Sequence, residues 1–180
     1  TFENTHVWYK PSHNSEIVVD VTNKVLKLNR FAYQSVEIFE NTTYIFNCVL
    51  LQNPMCETMM RFGFSEEESE AYIRKIADII QPMNPIVIYL ENTDIADSVE
   101  QASKERPGWL DGVINYHVNG SYGKQIGAEG FEGYIRCLEE RQERELRILN
   151  GLPVRKLVVD NPQRDWKSAQ EIIKTYLMTL

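Results

Sequence analysis

A chain of 180 residues with 43% hydrophobic and 25% charged residues has the size and composition to bury one sizeable core, which excludes a disordered or low-complexity protein. A net charge of −7 disfavours a protein whose main task is to grip duplex nucleic acid, because that binding rests on neutralising phosphates. No apolar run approaches the roughly 20 residues of a bilayer span, no secretory signal is visible, and Cys48, Cys56 and Cys137 are scattered like free thiols, so a cytoplasmic protein is expected.

In chain order, Thr5 to Lys10 alternates like a short strand, and Val21, Val25, Leu28, Ala32 and Val36 recur at helical steps, predicting a helix between Ile17 and Phe39. The unbroken apolar run from Tyr44 to Leu51 predicts a strand buried on both faces, with Gln52 and Asn53 at its exit and Pro54 opening a short helix packed through Met55, Met59 and Met60. Ser65 and Glu68 have capping-box spacing ahead of an amphipathic helix that reaches Ile80. Ile86 to Leu90 predicts a second buried strand, and Asp94 caps a helix ending at Arg106. Residues 107–130 hold six of the nine glycines and predict a lid-like insertion, or else a long surface excursion. A helix from Phe131 to Leu149 carries a charged face that includes Arg141 and Glu145, Val154 to Val159 forms a third strand, and Asp165 caps a final helix with an apolar face from Trp166 to Leu180.

This alternation predicts a single α/β domain over 1–180, a three-layer parallel sheet flanked by helices on both faces. Ligands collect at the exit edge of such sheets. The segments YIFNCVLLQNP, IADIIQPMNPIVIYLEN, ERPGWLDGVINYH and GFEGYIRCLEERQERELRILNGLPVRKLVVDN resemble an uncharacterised bacterial branch of the P-loop nucleoside and nucleotide kinases, of which thymidylate kinase is the familiar member. The resemblance implies a P-loop kinase-like fold, ATP and Mg²⁺ as cofactors, and phosphoryl transfer to a small hydroxyl- or phosphate-bearing substrate. The chain has no GxxxxGK(S/T) phosphate loop, so a strand and loop are expected ahead of Thr1, with a diverged domain that replaced them as the other reading.

The same resemblance makes Lys104 and Arg106 candidates for catalytic phosphate contacts, against the plainer reading of cations at a helix end. It makes Arg61 a candidate for a substrate phosphate, against the plainer reading of an exposed cation at a helix C-terminus, and 161–164 (Asn161, Pro162, Gln163, Arg164) the holder of adenine. Gln52 and Asn53 either stand where amides meet a substrate or are the turn chemistry common before proline, and Trp109 and Tyr116 either stack on a base or pin their segment to the core. Asp111 is the acid inside the lid's first half and a candidate base. Metal ligands are not readable: Asn47 stands where similar kinases carry an acid, Glu91 is the nearest substitute, and His6, His13 and His117 lack ligand spacing. The expected partner is a small molecule, with no nucleic acid and no membrane, and a homodimer left open. The other functional class is a nucleotide-binding or protein-interaction module without turnover.

Overall fold

The structure, a computed structural model, describes residues 17–20, 25–28, 35–37 and 45–180. Strands β1 (Ile17–Asp20), β2 (Val25–Leu28) and β3 (Ser35–Glu37) form an antiparallel meander, with Ile17 opposite Leu28 and Leu26 opposite Val36. Where residues 17–39 are described, strands replace the expected helix, because the β-branched run Ile17, Val18, Val19 pairs edge to edge better than it packs as a helix. The strand expected over 5–10 lies outside the described residues.

The expected three-layer sheet is also overturned. Over residues 45–180 the protein is mostly helical, 65% helix against 9% strand, and among the described residues its parallel sheet has two strands. Residues 45–51 form coil and turn rather than a central strand. Ile45 is 87% exposed, and Leu51 is the buried residue of that stretch. The run breaks at Cys48, whose backbone turns into the left-handed region at φ 64°. An apolar run of this length carries no period, so its composition does not separate a buried strand from a turn that drops one leucine into a core.

The helical body follows the predicted caps. Helix α1 (Gln52–Met55) continues into a π-helical turn over Cys56–Arg61, and Met55, Met59 and Met60 are fully buried, as their spacing predicts. In α2 (Glu66–Ile80) the Ser65 hydroxyl accepts the Glu68 N–H while the Glu68 carboxylate accepts the Ser65 N–H at 2.8 Å. Its Ile73 and Ala77 join the methionines, Cys137, Ile148 and Leu149 in the main core.

Strand β4 (Ile86–Glu91) pairs in parallel with β5 (Arg155–Asp160), Glu91 standing opposite Asp160. Between them run α3 (Ile95–Glu105), α4 (Trp109–Val118), α5 (Ser121–Gln125) and α6 (Gly130–Gly151). The glycine-rich 107–130 segment is thus largely helical, with left-handed glycines at Gly108 and Gly127 bounding α4 and α5. Helix α7 (Trp166–Leu177), capped by Asp165, buries Ala169 but leaves Trp166, Ile172 and Leu177 53%, 50% and 46% exposed.

Gly120 opens α5 directly against the π turn, where an added Cβ would meet the Met60 carbonyl. Gly120→Ala is expected to cost about 1–3 kcal/mol, because backbone cannot yield as a side-chain tip can. Urea unfolding of the variant checks this, and an unchanged midpoint would show that α5 does not rest on the π turn.

Candidate functional site

The π turn inserts one extra residue into the helix after Pro54, and such turns recur at functional sites because they re-aim side chains that a regular helix would stack. The buried methionines hold its inner face, so Gln52, Glu57 and Arg61 are carried on the rest of it. Above Gln52, the Cys48 thiol lies 2.9 Å from Gln52 Oε1 and 3.0 Å from Asn47 Oδ1, its single proton serving one oxygen at a time. The Asn53 N–H donates to the Cys48 carbonyl at 2.9 Å, closing the turn. Gln52 and Asn53 therefore open helix α1 instead of standing at a strand exit.

Glu57 is the joint of the outer face. It pairs with Arg61 at 3.0 Å, and the Tyr116 hydroxyl from α4 donates to the neighbouring Cys56 carbonyl at 3.1 Å. Arg61 also lies over the Phe62 ring, 5.2 Å from its centroid. Two of the residues expected at a substrate site, Arg61 and Tyr116, thus meet at the π turn, whereas Gln52 lies at the start of α1 beside Cys48. Burial and the nearby Glu57 carboxylate push the Tyr116 phenol well above its ordinary value, so it stays a neutral donor.

Beneath this face lies a polar centre that sequence periodicity assigned to solvent. Arg141 and Glu145 stand one turn apart on α6, with Nε 3.1 Å from Oε1, and their side chains are only 15% and 4% exposed. The Tyr89 hydroxyl from β4 donates to Glu145 Oε2 at 2.7 Å, and Arg141 donates to the Cys56 sulfur at 3.2 Å. Burial raises the Glu145 carboxyl against the pull of Arg141 and Tyr89, and it raises the Cys56 thiol against the pull of Arg141. Cys56 is accordingly a protonated anchor, not a nucleophile. Arg141 Nε and Glu145 Oε1 are near enough to attract but not aligned as a hydrogen bond. The signal for this centre was present: residues 134, 138, 141, 145 and 148 share one helix face, and Tyr134, Leu138 and Ile148 are its apolar members.

His117 borders the same centre. Its Nδ1 lies 2.8 Å from the Val113 carbonyl and so carries the proton, and its ring packs 5.0 Å from Tyr116 and 4.8 Å from Tyr134. Burial lowers its pKa to about 4, which keeps the ring neutral.

A second polar region occupies the exit edge of the β4–β5 pair. Gln142 of α6 clamps Asn92, accepting its N–H at 3.1 Å and donating to its carbonyl at 3.0 Å. The Thr93 hydroxyl lies 3.3 Å from both Asp160 carboxylate oxygens. Arg164, with φ 56°, forms an ion pair with Asp97 of α3, and Asn161 Nδ2 is buried with no hydrogen-bond partner among the described residues. Searches of protein families, curated proteins and solved structures find no match to this chain. Function therefore rests on these residues alone.

Lys104 sits exposed in the last turn of α3, and Arg106 lies 5.9 Å from the Trp109 ring centroid. Trp109 itself packs on the Val99, Tyr134 and Leu138 cluster, in keeping with its reading as a pin. A cleft of about 640 Å³ runs between α3 and the start of α6, lined by Ala96, Phe131, Ile135 and Arg136 among others. Among the described residues no three acidic, histidine or cysteine side chains converge to hold a metal ion, and no helix is long and apolar enough to cross a membrane.

Proposed function

We propose that the protein carries out ATP-dependent phosphoryl transfer, of the nucleoside and nucleotide kinase type, to a small hydroxyl- or phosphate-bearing substrate. The observation that carries this reading is the shared exit of the parallel pair, where 92–94 and 161–164 emerge side by side from Glu91 and Asp160. Parallel strands bind ligands at that edge, where backbone groups lose their ladder partners. Asn161 offers a buried amide with a donor to spare, which fits a purine edge, and Asp97 holds Arg164 in its left-handed conformation beside it.

Mg²⁺ fits the same edge. It keeps most of its water and takes one or two carboxylates along with nucleotide phosphates, and Glu91 and Asp160 are two carboxylates in register. When bound it neutralises charge on the phosphates. The chain's own residues do the rest: Gln52, Asn53, Arg61 and Tyr116 orient the acceptor, with the Arg141–Glu145 pair fixing Cys56 and so the turn that carries them. Lys104 and Arg106 stand at the end of α3, ahead of the left-handed Gly108, as the cations for a phosphate.

Calorimetry of the full-length protein with ATP and Mg²⁺ is expected to show binding, with stabilisation of about 2.7 kcal/mol at a ligand concentration 100 times Kd. Asn161→Ala should weaken that binding roughly tenfold, the worth of one buried hydrogen bond. Absence of both heat and stabilisation would remove the reading. A module that binds nucleotide or protein without turnover is the second reading, favoured by Arg61 being held by Glu57 and Arg106 by Trp109. Wild-type binding without phosphate transfer selects it, whereas loss of turnover with retained binding in Lys104→Ala/Arg106→Ala selects the enzyme.

A further inference from the structure

We infer that the outer edge of β5 is a docking site for a second copy of this chain, paired antiparallel about Val158. Among the described residues no strand pairs with that edge. The Asn161 N–H donates to the Glu91 carbonyl at 3.4 Å, which sets the phase of the ladder. Residues 155, 157, 159 and 161 turn their backbone groups toward β4, and Lys156, Val158 and Asp160 turn theirs outward. Two identical antiparallel strands related by a two-fold axis must place a residue opposite itself, since opposed side chains share one face of the sheet.

Centring on Val158 satisfies both conditions. Val158 then exchanges two backbone hydrogen bonds with the partner's Val158, and the register sets Lys156 opposite the partner's Asp160 on each side, so that no like charges oppose across the strands. The β4 edge lacks such a key, because its outward residues are Ile86, Ile88 and Leu90.

Three further observations fit a second copy. Val158 is 40% exposed in the middle of its strand. Lys156, the kind of residue that guards an open edge, instead points its Nζ back to the carbonyls of Leu149, Asn150 and Leu152 at 2.6, 2.9 and 3.0 Å. Helix α7, packed on β5, leaves Trp166, Ile172 and Leu177 about half exposed, which supplies apolar area that a strand edge alone lacks. The product is a four-stranded sheet in the order β4, β5 and the partner's β5, β4.

Sedimentation of the full chain between about 1 and about 100 µM tests this, together with Val158→Lys, which sets two like charges across the axis, and Val158→Cys. Opposed Cα atoms about 5.5 Å apart lie within the disulfide range, so Val158→Cys should cross-link most of the protein on mild oxidation, above the background of the wild-type thiols. A wild-type dimer that Val158→Lys converts to a monomer of unchanged circular dichroism, with the cross-link formed, supports the interface. A monomer throughout, or a dimer unmoved by Val158→Lys and without the cross-link, overturns it. If Val158→Lys fails to fold, or the two variants disagree, the cross-link decides.

Discussion

Arg141→Met is expected to lower the free energy of unfolding by about 3–5 kcal/mol, because it strands Glu145 without its counter-charge in the protein interior. The Glu145 side chain is 4% exposed and its pair partner only 15%, so water cannot stand in for the guanidinium. The substitution also removes the donor to the Cys56 sulfur, loosening the π turn from α6. Replacing both members, Arg141→Met with Glu145→Leu, should recover most of the loss, since two apolar side chains of similar volume need no partners. Tyr89 then keeps an unsatisfied hydroxyl, which leaves the double variant about 1–2 kcal/mol below wild type. Urea denaturation of the single and double variants measures both steps, and a single-variant loss under about 1 kcal/mol would place the pair in solvent.

Acid should destabilise the protein through His117 before most carboxylates are protonated. Burial holds the folded ring at a pKa of about 4 against an ordinary 6.5, with the Arg141 charge adding to the effect and the Val113 hydrogen bond opposing it. Below pH 6.5 the unfolded chain takes up a proton that the folded chain refuses. The contribution is whole above that pH and is lost as pH falls, the loss being complete near pH 4. Integrated over this window it amounts to about 3 kcal/mol, at 1.36 kcal/mol for each unit of displacement. His117→Phe, which keeps the ring stack on Tyr134, should flatten that part of the stability profile relative to wild type. Parallel profiles for the two proteins between pH 6.5 and 4 would mean that His117 is already solvated.

Local signals carried through wherever one residue type decides the structure. The Ser65 and Glu68 cap, the Asp94 and Asp165 caps and the methionine spacing around Met59 are short-range chemistry, and each is found in place. Ile86 to Leu90 and Val154 to Val159 were legible as strands, and they pair in parallel. The stretch around Cys48 was not legible, because a left-handed cysteine leaves no compositional trace and the two amides that hold its thiol also look like ordinary turn residues. At the candidate site, Arg61 and Tyr116 both stand beside Glu57, while Gln52 stands apart at the Cys48 thiol. Arg141, Glu145 and Tyr89 were missed because a charged residue on an exposed-looking helix is ordinarily solvated, and only the alignment of 141 and 145 with an apolar face distinguishes them. Charge identity outweighed position in that reading, and burial shows that position decides.

Hydrogen–deuterium exchange of the full-length protein with and without ATP and Mg²⁺ tests directly whether the turn above Arg141 and the β4–β5 exit form one ligand site. Slowed exchange is expected over 47–61, over α4 and over 160–164, with 66–80 unchanged as an internal reference. Exchange that is unaltered in all three segments, or protection that appears only elsewhere, would contradict it.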